Sequence, residues 1–241
     1  MIALLATAVL VVGDRAAAAF TNYQIRDRVE AELAARDVEY GGLAVDVAGV
    51  PFLVQLATAT LDEIEISMTD LRPSTGTSGA AAAVTVSSVD VIATGVRVNV
   101  GDLLRGEPTA RAREVVGTAF IRYATLDGLV KLPGLGLADV HFSQAEGGIR
   151  FEALGALAPV RAVAEITVEK GQLRIRLRDA QFESRVLPAL GREILNQILA
   201  AAINLKMPAL PLGLVLQSVT PGPDGLSISV VGHDVLLTAG A

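Results

Sequence analysis

The chain of 241 residues contains no cysteine and no tryptophan, and aromatic residues make up only 4% of it. Without cysteine there is no disulfide framework, no thiol nucleophile, no thiolate metal site and no lipoprotein cysteine to acylate. Lysine is scarce as well: Lys131, Lys170 and Lys206 are the whole set, so arginine carries nearly all the positive charge. A net charge of -6 with so few base-stacking aromatics excludes nucleic acid as a partner, because a phosphate backbone demands clustered Lys and Arg. Nucleotide and hydrolase signatures are also missing. "GLGLAD", with Gly134, Gly136 and Asp139, falls short of the dinucleotide fingerprint and has no βαβ unit around it. "GTSG" at Gly76 to Gly79 has the wrong spacing for a nucleophile elbow. His141 and His233 are the only imidazoles, and nothing in the sequence sets a third ligand or a nucleophile beside them. Glu63 and Glu65 alternate with Ile64 and Ile66, which reads as the wet side of a strand rather than a carboxylate dyad. No cofactor and no metal are implied, and the chain reads as a non-enzyme.

What the chain does have is apolar substance: 51% hydrophobic residues and a mean hydropathy of +0.50. The length is ample for a real core, and the excess suggests a larger apolar interior than packing requires, or contact with lipid. Part of it is N-terminal. An apolar run from Ile2 to Val12 ends at Gly13, Asp14 and Arg15 and is followed by Ala16 to Ala19. The run is shorter than the ~20 residues of a membrane span but has the size of a signal-peptide core, and Ala17 and Ala19 suit cleavage before Phe20. No Lys or Arg precedes Ile2. Residues 1–19 are therefore expected to be a signal peptide or an N-terminal membrane anchor, and residues 20–241 one domain.

Periodicity organises the remainder. Ile25, Val29 and Leu33, with charges between them, predict an amphipathic helix from Thr21 to Arg36. Alternation of period two then dominates, at Val45 and Val47, Ile64 to Met68, Val84 and Val86, Val96 to Val100, Ile166 and Val168, Leu173 to Leu177, and Leu226 to Val230. In "QLRIRLRD", Arg174, Arg176 and Arg178 must point away from Leu173, Ile175 and Leu177. Turns are expected at Pro73 to Gly79, Gly147–Gly148, Glu169 to Gly171 and Pro221 to Gly225. Leu187 to Leu205 carries a wide apolar helical face. The fold class is α+β, with a curved antiparallel sheet whose dry face is covered by helices or by something else.

The stretch "GVPFLVQLATATLDEIEIS", Gly49 to Ser67, concentrates the question of what that dry face meets. It resembles the Gly-x-Pro-Phe-Leu segment and following strand of the LmeA-like phospholipid-binding family of actinobacterial envelope proteins. The resemblance continues through "VIATGVRVNVGDLLRG", "GTAFIRYATL" and "LPLGLVLQSVTPGPDGLSISVVGHDV", and so covers the chain from about Asp14 onward. It implies a TULIP-like tubular lipid-binding fold, a strongly curved antiparallel sheet wrapped around a long helix. It also implies an extracytoplasmic, membrane-associated or secreted protein that binds phospholipid and supports envelope glycolipid or lipoglycan maturation beside envelope biosynthesis enzymes. The family supplies no catalytic residue.

Phospholipid acyl chains and the membrane surface are thus the expected partners. The groove would be lined by Phe52, Leu53, Leu56, Ile64, Ile66, Met68, Leu173, Ile175, Leu177, Leu195 and Leu199. Arg72, Arg97 and Arg122 are headgroup candidates only through the match of guanidinium to phosphate, and solvated surface arginines would look the same. The alternative is an envelope scaffold whose dry face is packed and free of ligand.

Overall fold

A computed structural model describes residues 2–73, 85–98, 109–127, 137–155, 159–169, 171–182, 185–186 and 213–238. It opens with one helix, α1 (Ile2–Ala35), in which the amphipathic helix expected from Thr21 runs on from the apolar segment without a break. Alanine is the best helix former, so Ala16 to Ala19 bridge the apolar run and the amphipathic segment without a break. Two short strands follow, β1 (Val38–Glu39) and β2 (Gly42–Ala48), then the short helix α2 (Phe52–Ala57) and the long strands β3 (Thr60–Pro73), β4 (Val86–Val98) and β5 (Thr109–Arg122). A single turn of helix, α3 (Tyr123–Leu126), leads to β6 (Leu137–Ala145), β7 (Gly148–Gly155), β8 (Pro159–Glu169), β9 (Gln172–Phe182) and β10 (Arg185–Val186). The chain ends in the hairpin of β11 (Val215–Pro221) and β12 (Gly225–Thr238). The helix expected from Leu187 to Leu205 and the loop from 74 to 79 lie outside the described residues, as do Val84 and Val100.

The strands form two antiparallel sheets, not the single sheet expected. One has seven strands in the order β1-β3-β4-β5-β12-β11 with β2 also on β3, and the other has five in the order β10-β9-β8-β7-β6. The reason is a long-range pairing. β12 returns from the end of the chain and takes the free edge of β5 from Thr109 to Arg122, which leaves β6 to start a sheet of its own. The expected turns at Gly147–Gly148, Glu169 to Gly171 and Pro221 to Gly225 all join paired strands.

The sheets meet at α3 and β11. The Tyr123 hydroxyl donates to the Gly222 carbonyl at 3.0 Å, and Asp127 accepts from the Phe142 backbone N–H at 2.9 Å. The Gln144 amide reaches the Pro221 carbonyl, and β11 lies against β7, β8 and β9. Burial raises the pKa of Tyr123 above the ordinary phenol value. It therefore stays a neutral donor.

Helix α1 runs along the free edge of β2. Asn22 accepts from the Val47 N–H at 3.0 Å, which satisfies an edge donor that would otherwise be open for pairing. Ala17, Ala18 and Ile25 pack with Val47, Phe52, Ile64, Ala93, Val96, Ala112, Val115 and Val235 into the main core.

Candidate functional site: an apolar sheet face covered at one end

The strand registers sort the inner face of the seven-stranded sheet into rows. Val47, Ile64, Ala93 and Val115 stand opposite one another across β2 to β5, and all four are buried. This row lies at the end where α1 and α2 pack. The next row is Val45, Ile66, Val91, Gly117, Val230 and Leu216, and the one beyond it Leu43, Met68, Val89, Ala119, Ile228 and Val219. Within these two rows Leu43, Gly117 and Leu216 are buried, Ile66 and Val91 are half-buried and pack against the main core, and every other residue is half-buried. Neither row contains a polar side chain. A surface of that kind binds by area alone, which suits hydrocarbon and offers nothing to a polar substrate. Gly117 keeps the middle row flat, because a Cβ there would press on Val230.

The outer face differs. Glu63, Glu65, Ser67, Asp90, Thr94, Glu114, Thr118 and Ser229 lie on it, and the Ser67 hydroxyl donates to Asp90 at 2.7 Å. Ile64 is buried between half-buried Glu63 and exposed Glu65, as strand alternation requires. Arg174, Arg176 and Arg178 are likewise exposed along β9, opposite half-buried Leu173.

The Gly49 to Ser67 stretch divides between inside and outside. Phe52 is 1% exposed and sits in the core, whereas Leu53, Val54 and Val50 are exposed. α2 begins after a cis Val50–Pro51 peptide, with proline immediately before the first helical residue. Its orphan N–H groups are met from far away in sequence: Asp14, buried in α1, accepts from the Leu53 N–H at 2.7 Å. That bond is the main cause that lowers the Asp14 pKa, with the Phe52 N–H and the Arg15 charge acting in the same direction and partial desolvation opposing them. Gln55, buried as well, accepts from the Asp62 N–H at 2.8 Å and ties α2 to β3. Gly49, at φ +111°, is the only residue type that fits there, since a side chain would collide with Gln55 and the Asp62 carboxylate.

Of the residues expected to line a groove, Ile66 and Met68 lie on the half-exposed rows, Ile64 and Phe52 belong to the packed end, and Leu53 faces outward. Leu173 lies on β9 in the second sheet. The side chains of Leu56, Ile175 and Leu177, and the whole of Leu195 and Leu199, lie outside the described residues. Val89, Val91, Ala119, Ile228 and Val230 belong to the same surface. Alternation placed some of them on strands, but only the pairing of distant strands puts them in one row.

Arg72 and Arg122 lie near one end of the seven-stranded sheet and Arg97 at the other, opposite Thr60 and Arg111, so the three do not share a mouth. His141 is exposed with Nδ1 3.2 Å from Asp127, and His233 stands across from Glu114 in the other sheet. Among the described residues no three His, Cys, Asp or Glu side chains gather as a metal set.

The described residues define a β-rich α+β protein whose seven-stranded sheet carries two apolar, partly exposed rows. The profile of the LmeA-like phospholipid-binding family matches residues 12–231, and the chain belongs to that family. No curated protein and no solved structure matches it.

Proposed function

We propose that this protein is a non-enzymatic carrier of phospholipid in the bacterial cell envelope. It takes acyl chains onto the half-exposed rows of the seven-stranded sheet and passes lipid between membranes or to enzymes of envelope glycolipid and lipoglycan maturation. An extracytoplasmic place, next to the membrane, belongs to the same reading. The observation that carries it is the pair of rows through Ile66 and Met68, wholly apolar yet not fully buried. Each methylene buried there contributes about 0.8 kcal/mol, so one chain of about 16 carbons offers on the order of 12 kcal/mol before ordering costs. No specific polar contact is needed for affinity of that size.

The test is organic extraction of the purified protein, with mass spectrometry of what is released, followed by transfer of a labelled phospholipid between donor and acceptor vesicles. Stoichiometric diacyl lipid and protein-dependent transfer are expected. Bound lipid without transfer restricts the role to binding or sensing. A lipid-free protein that takes up none from vesicles points to the scaffold with a packed core.

A further inference from the structure

Helix α2 is turned the wrong way round for a surface helix, and this bears on how the apolar sheet face is opened. Its sequence is Phe-Leu-Val-Gln-Leu-Ala, with Gln55 as the single polar side chain. A helix at a surface ordinarily shows its polar residues to water and buries its apolar ones. Here Gln55 is 8% exposed, whereas Leu53 is 38% and Val54 57% exposed. The inward amide is only half served. Its Oε1 accepts from the Asp62 N–H, but Nε2 is the one buried side-chain nitrogen or oxygen among the described residues that has no hydrogen-bond partner. A buried donor left unpaired works against the setting that holds it, since the same group would find water outside.

The chain on either side of α2 is bent through the left-handed region. Gly49 before it has φ +111° and Ala59 after it φ +53°, a conformation that alanine adopts only at a cost. Between these two points the helix is tied down by the Asp14 carboxylate on the Leu53 N–H, by Gln55 on the Asp62 N–H and by the Phe52 ring. Phe52 packs in one core with the row of Val47, Ile64, Ala93 and Val115. That row runs on without a polar break into the half-buried rows through Ile66 and Met68.

We propose that α2 is a gate on the inner face of the seven-stranded sheet: it swings out between Gly49 and Ala59 when a phospholipid acyl chain enters, and the chain takes the place of the Phe52 ring against Val47, Ile64, Ala93 and Val115. In the open setting Gln55 reaches water and Leu53 and Val54 turn onto hydrocarbon, which reverses the inverted polarity of the closed one. The gate rests on the phospholipid-binding reading, because only an apolar ligand replaces the contacts that Phe52 gives up.

Amide hydrogen exchange of the full chain, followed residue by residue by NMR, tests it on two samples: protein freed of lipid, and the same protein loaded from phosphatidylglycerol vesicles and then separated from them. Loading is expected to speed exchange at the Leu53 and Asp62 N–H groups by about tenfold or more, while Ala93 and Val115 in the central strands change by less than about twofold. Unchanged or slower exchange at Leu53 would overturn the gate. The variant Leu53→Gln/Val54→Gln makes the outer side of α2 polar, so that the closed setting suits water. It is expected to keep the parent's melting temperature within about 2 °C and to take up labelled phosphatidylglycerol about tenfold more slowly; uptake at the parent's rate counts against the gate. Lipid recovered with the parent separates the two levels of the argument. Bound lipid beside unchanged Leu53 exchange removes the gate alone, and a parent that takes up none removes the carrier reading together with the gate.

Discussion

Two ends of one sheet face, built from the same strands and nearly the same residue types, differ in what lies over them. At the α1 end, Val47, Ile64, Ala93 and Val115 are sealed by Ala17, Ala18, Ile25 and Phe52. Two rows further along, Met68, Val89, Ala119 and Ile228 are just as apolar and remain half-exposed. Hydrophobicity alone therefore does not separate a sealed core from a partly exposed face; the neighbour does.

Substitutions at the two ends should part the roles. Phe52→Ala, at the sealed end, is expected to destabilise the fold by about 3–5 kcal/mol, since a fully buried aromatic leaves both a cavity and lost transfer energy. Urea denaturation measures it, and a change below 1 kcal/mol would mean that the α2 anchor is dispensable. A charge at the open end should act differently. Val89→Asp is expected to cut the phospholipid recovered with the protein by about tenfold or more while stability falls by less than about 2 kcal/mol. Unfolding as severe as that of Ile64→Asp would erase the distinction between the ends.

The bond between Asp14 and the Leu53 N–H gives a smaller effect with a sign in pH. The Asp14 pKa is lowered in the fold by the Leu53 N–H, so ionisation favours the folded state. This contribution is complete above the ordinary carboxylate value and is lost as pH falls through the lower folded value. Asp14→Asn keeps an acceptor without the charge, so its deficit in melting temperature is expected to be largest at neutral pH and to shrink on acidification; a deficit independent of pH would contradict the assignment. The smallest effect belongs to the Arg26–Glu30 pair, 2.8 Å apart on the wet side of α1. An exposed pair of this kind contributes little, and Arg26→Ala should leave the melting curve where it was.

The local pattern made much of this legible. Alternation located most strands, the arginines of "QLRIRLRD" lie on its wet side, and the turns at Gly147–Gly148, Glu169 to Gly171 and Pro221 to Gly225 join hairpins where they were expected. The family was legible too, from ordered motifs spread along the chain. Three things were not. The Asp14–Leu53 bond that ties α1 to α2 spans 39 residues and leaves no local trace. Phe52 and Leu53 are adjacent and equally apolar, yet a helix turns one into the core and the other outward. The split into two sheets depends on β12 reaching β5, a choice between distant edges that no window of sequence contains.

The sequence by itself determined that this is an α+β protein of the LmeA-like family, rich in strands with one dry face, with no thiol chemistry and no charge for nucleic acid. Period-two alternation and composition suffice for the strands and for the exclusions, because they act over a few residues, and the order of the motifs along the chain carries the family. Which apolar residues became core and which stayed open was decided only in the tertiary structure. A side chain's burial depends on what packs across from it, and here α1 lies over strands that range from β2, next to it in the chain, to β12 at the far end.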